Sequence, residues 1–94
     1  MNKLKGEFYY MGKFEIGDKV VVTEHNDDIK NPNTQSTLAI DLYKQIGTVC
    51  WENYDSTVYG VNFGRNIQGN SCNGTCEIGH GQNINKKYLE QYVE

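Results

Sequence analysis

FEIGDKVVVTE, residues 14–24, decides how this chain is read. Gly17-Asp18 supply a turn, and beyond it Val20 and Val22 alternate with Lys19, Val21 and Thr23. A period of two is the pattern of a strand with one face buried, whereas a helix needs apolar residues three and four apart. The segment is therefore predicted as a strand entering a small core.

Working outward, the same pattern recurs. IGTVCWEN (46–53) reads as a second strand and TVYGVNFG (57–64) as a third, with Tyr54-Asp55-Ser56 as the turn between them. In the third, alternation puts Tyr59, Val61 and Phe63 on one face, while Gly60 leaves room for close packing on the other. HGQNIN (80–85) makes a short fourth strand, and KKYLEQYVE (86–94) a single helical turn leading into a terminal strand anchored by Leu89 and Val93. Between the first two strands, HNDDIKNPNTQS (25–36) is a long polar loop broken at Asn31-Pro32-Asn33. TLAIDLYKQ (37–45) has two readings. One is a short helix capped by Ser36 or Thr37, with Leu38 and Leu42 at i,i+4; the other is an extended return that docks its apolar residues on the core. Residues 1–13, with the cluster Phe8-Tyr9-Tyr10-Met11, form an N-terminal lead-in or an extra strand.

Composition agrees. Ninety-four residues make one domain, and ten Gly with one Pro imply many tight turns. The fold class is all-β. A net charge of −3 with scattered Lys and Arg argues against phosphate-driven nucleic-acid binding, which requires clustered basic residues. The N-terminal stretch has no apolar run suited to a signal peptide or a membrane span, so the expectation is a cytoplasmic protein that makes no membrane contact. In that reducing setting the three cysteines are read as thiols.

The ordered set Phe14–Val22, Gly47-Thr48-Val49, Val61-Asn62-Phe63 and Tyr88–Val93 resembles the small SH3-like barrels, the KOW-type five-stranded domains, over residues 14–94. The segment SCNGTCEIGHGQN (71–83) contains Cys-x-Gly-x-Cys-x-x-Gly-His-Gly followed by a short strand. It is similar to small SH3-like proteins encoded by bacteriophages and prophages. In those an aromatic pair follows the last glycine; here Gln82-Asn83 stand in its place. The resemblance implies a small five-stranded barrel with long loops and a short helical turn, binding through loops at one end and the aromatic groove between them.

The Cys–His segment itself admits several chemistries. Cys72, Cys76 and His80 offer three metal ligands, with Cys50 or His25 as a fourth. Structural zinc, however, usually draws its ligands from two separated pairs. Were Asn73-Gly74 a two-residue type I′ turn, Cys72 and Cys76 would point to opposite sides of a hairpin. A three-residue loop would instead set them on the same side. The preferred reading is a packed lid hinged at Gly74, Gly79 and Gly81, with no cofactor; a small zinc module is the alternative.

No nucleophile, base and orienting group are assembled by any motif, so no catalytic residues are assigned. Trp51, Tyr54, Tyr59, Tyr88 and Tyr92 exceed what so small a core encloses. Together with Arg65 and the 25–36 loop, Trp51 and Tyr54 are the first candidates for contacting a partner. The expectation is a non-enzymatic binding module, an accessory protein of a phage or mobile element that docks on a host or phage protein. Its sharpest form is an inhibitor of a host defence nuclease, of the anti-CRISPR kind. A KOW-like nucleic-acid or ribonucleoprotein-associated module is the other alternative.

Overall fold

The computed structural model describes residues 13–25 and 40–93. The 8–11 aromatic cluster, the 26–36 part of the polar loop and residues 37–39 lie outside them. The strands are β1 (Lys19–Val22), β2 (Ile46–Glu52), β3 (Val58–Asn62), β4 (Gly81–Asn85) and β5 (Leu89–Gln91). They form one antiparallel sheet in the order β4-β3-β2-β1-β5. Each strand predicted from alternation is present, and the all-β class holds.

The alternation of β1 is seen in its burial: Val20 and Val22 are enclosed, while Lys19 is exposed and Val21 half-buried. Val49 and Val61 face each other across the β2–β3 pair and are fully enclosed with them. Removing each such side chain from water stabilises the fold by about 1.5–3 kcal/mol. Ile84 of one edge strand and Leu89 of the other belong to the same cluster. Phe14, Leu42, Phe63 and Ile67 complete it from outside the strands. Val20, Val22, Val49, Val61 and Phe63, from β1, β2 and the end of β3, all belong to this core.

Two connections and one irregular strand position side chains around the sheet. Residues 40–45 take the second of their two readings. The Gln45 N–H donates to the Leu42 carbonyl, Lys44 has a φ of 67°, and Leu42 is buried, so the segment is a tight turn docking one leucine. A left-handed Lys44 is incompatible with a continuing right-handed helix. At the other end of the chain, Lys86–Tyr88 form a single 3-10 turn, capped by Asn85, whose side chain accepts from the Lys87 N–H. β2 carries a bulge. Val49 pairs with Val61 and Trp51 with Gly60, which leaves Cys50 as the extra residue.

Candidate functional site

Residues 66–80 fold as a lobe against the start of β4. The backbone bonds Phe63 N–H to the His80 carbonyl (2.9 Å), Ile67 N–H to the Gly79 carbonyl (2.9 Å) and a reciprocal pair between Asn70 and Gly81 tie it down. Within it, the Ser71 carbonyl accepts from the N–H groups of Gly74, Thr75 and Cys76 at 3.0, 2.9 and 3.1 Å. This is not the two-residue hairpin turn. Cys72, Asn73 and Gly74 all have positive φ (49°, 61° and 85°), so the chain makes a left-handed turn. That conformation costs a residue with a side chain about 1–2 kcal/mol, least for Asn. Side-chain bonds hold it: the Cys72 N–H donates to Asn70 Oδ1 (2.8 Å) and the Thr75 hydroxyl to the Cys72 carbonyl (2.7 Å).

The turn swings Cys72 and Cys76 to one side, and the β2 bulge turns Cys50 to meet them. The three Sγ atoms lie within 4.8 Å of one another. Their floor is glycine. A Cβ on Gly81 would stand 2.6 Å from the Sγ of both Cys72 and Cys76, and one on Gly60 only 2.8 Å from Cys72 Cβ. The cluster is on the opposite face of the sheet from the core, for Gly60 lies between Tyr59 and Val61 in β3. Cys72 is buried, and Cys50 and Cys76 are half-buried.

The electrostatics favour the neutral form of Cys72 and of Cys76. Burial, then the neighbouring Cys50 and Cys76 sulfurs, push the Cys72 thiol above its usual range; burial and Cys50 do the same to Cys76. Each thiol faces a distant carbonyl, Gly60 for Cys50 (3.6 Å), Val61 for Cys72 and Asn70 for Cys76 (3.9 Å each), and Cys50 Sγ also accepts from the Thr75 hydroxyl (3.2 Å). Beside them, Asn83 pairs with Gly60 across β3–β4 and so presents its side chain on the thiol face. It is 3% exposed, and its Oδ1 has no hydrogen-bond partner.

The histidines offered by the sequence are elsewhere. His80 donates its N–H to the Glu77 carbonyl, and its Nε2 stands 3.7 Å from the Glu77 carboxylate, a turn residue outside the sulfur group. His25 Nδ1 is 2.8 Å from Asp41, with the ring against Tyr43. The structure thus brings Cys72 and Cys76 together with Cys50, and with neither histidine. What the sequence reading missed was the bulge; its only signal was a third cysteine in the strand beside Gly60.

The candidates for partner contact divide between the two ends of the β2–β3 hairpin. Tyr54 is 97% exposed at the tip of the β2–β3 turn, with half-buried Trp51 nearby in β2. Arg65 lies beyond the far end of that hairpin, where its guanidinium donates to Gln45 Oε1 (2.7 Å). The turn under Tyr54 is closely bonded. Asn53 Oδ1 accepts from the N–H groups of Thr57 and Val58, Asp55 Oδ1 from the Thr57 hydroxyl, and the Glu52 carboxylate from Ser56 and Lys13.

Comparison with family models, with curated proteins and with solved structures finds no match to this chain. Among the described residues no helix is long and apolar enough to cross a membrane.

Proposed function

We propose that the chain is a small SH3-like binding module that acts by contact with another protein, with Tyr54 as its anchor and without chemistry of its own. The strand order, with β1 between β2 and β5, and a core shared by both edge strands support the barrel part of this reading. The observation that carries the binding part is Tyr54: a full aromatic ring in water on a turn whose backbone is already fixed by side-chain bonds. A large ring buries much area on docking, and a pre-ordered loop loses little freedom in doing so. Trp51 extends the same end of the hairpin. Arg65, at the other end, belongs to a different surface.

The resemblance to phage-encoded domains suggests the partner: a host or phage protein, in the sharpest form a defence nuclease blocked sterically. The test is affinity capture from a bacterial lysate with the wild-type chain and Tyr54→Ala side by side. A protein retained by the first and lost by the second supports the reading. No retained protein, or equal retention by both, overturns it. Full cleavage by a purified CRISPR nuclease at saturating protein removes the nuclease form alone.

A further inference from the structure

We propose that Cys50, Cys72 and Cys76 form a three-thiolate site for a thiophilic divalent cation, zinc(II) first, with a fourth coordination position open to water. Sulfurs bound to zinc at about 2.3 Å in tetrahedral geometry stand about 3.8 Å apart, and these three already lie within 4.8 Å of one another. Small side-chain rotations close the difference.

The site is also built rather than incidental. Its ligands come from two separate segments, a bulge in β2 and a left-handed turn in the 66–80 lobe. Gly60 and Gly81 clear the space beneath, where any Cβ would strike the sulfurs or Cys72 Cβ. None of the three cysteines belongs to the hydrophobic cluster. The Asn83 oxygen, buried on this face without a donor, is the kind of acceptor a metal-held water would satisfy.

Charge selects the ion. Binding converts three thiols to thiolates, releasing three protons to solvent as three sulfur–metal bonds form. With a divalent cation the assembly carries one negative charge; with a monovalent one it carries two, beside Glu77 in an acidic chain. Soft sulfur donors exclude magnesium and calcium. The histidines, held by Glu77 and Asp41, take no part.

The proposal is independent of the Tyr54 reading, since loss of either leaves the other intact. It is tested on the whole reduced chain by native mass spectrometry with zinc(II) and by absorption with cobalt(II). The expected result is one ion per chain, thiolate-to-cobalt charge transfer with the intense visible bands of tetrahedral cobalt, loss of both in Cys50→Ser and Cys76→Ser, and retention in His80→Ala. No bound zinc, cobalt absorption lacking thiolate charge transfer, or zinc kept by Cys50→Ser and lost by His80→Ala would overturn it. Should a serine variant fail to fold, the wild-type cobalt spectrum decides alone.

Discussion

Gly60 and Cys72 touch across the sheet face, so closely that a Cβ on residue 60 would come within 2.8 Å of Cys72 Cβ and equally near Trp51 Cβ. Both obstacles are fixed to their own backbones and cannot swing away. Alanine normally suits a strand better than glycine by about 0.5–1 kcal/mol, but here the clash reverses the sign. Gly60→Ala is expected to destabilise by about 1–3 kcal/mol, read as a lower midpoint in urea. A variant as stable as the wild type would mean that the lobe does not pack on β3 as described.

Gly74 presents the opposite case. A Cβ there meets nothing within 4 Å, yet its φ is 85°. Gly74→Ala is expected to cost about 1–2 kcal/mol through backbone strain alone. Gly74→Asn, which tolerates that region, should recover part of the loss in the same thermal melts.

The phenol of Tyr59 accepts the Phe14 N–H at 3.1 Å, and the two rings meet edge to face. Tyr59→Phe keeps the ring contact and deletes the bond. The expected loss is about 1 kcal/mol, measured by chemical denaturation, with the far-ultraviolet dichroism of the sheet unchanged.

The thiols give a pH dependence. Because folding raises the Cys72 and Cys76 pKa values, the folded state binds those protons more tightly than the unfolded chain. Their contribution is full below the ordinary thiol range, begins to fall as pH enters it, and is lost only as pH rises through the raised values of the folded state. In the metal-free protein, iodoacetamide at neutral pH should modify Cys72 most slowly, as followed by mass spectrometry of the digested chain. Rapid labelling of Cys72 in the folded state would contradict its burial.

Glu52 runs the other way. The Lys13 ammonium, then the Ser56 hydroxyl, hold its carboxyl below the usual glutamate range. What it contributes is present above the unfolded value and disappears as pH falls through the folded one. The pair is partly exposed, so the effect on stability is small. A carboxyl-carbon NMR titration shows it directly, and Lys13→Ala should move the Glu52 midpoint upward.

Most of the sheet was legible because period-two alternation depends only on neighbours in sequence. Val20 and Val22, or Tyr59, Val61 and Phe63, declare their face without reference to anything distant. The turn at 40–45 was legible only as two alternatives, since Leu42 docks on the core in either and the deciding left-handed Lys44 leaves no compositional mark. The thiol cluster was hidden for a related reason. Asn73-Gly74 suggested a turn centred on those two residues, but left-handed backbone begins one residue earlier, at Cys72. A one-residue shift of a turn reverses which side a cysteine takes. The bulge at Cys50 is likewise a property of the β2–β3 pairing and not of either strand alone. The exposed Tyr54 could be placed on a turn from sequence, whereas its separation from Arg65 required the hairpin register.

Finally, the place of β1 between β2 and β5 has a consequence for biosynthesis. One side of β1 finds its neighbour soon after it is translated, but the other waits for Leu89–Gln91 to leave the ribosome. Until then the nascent chain carries a bare backbone edge, open to an intruding strand from any nearby polypeptide. A ribosome that stalls shortly before residue 89 would therefore release a sticky fragment, not a smaller working domain.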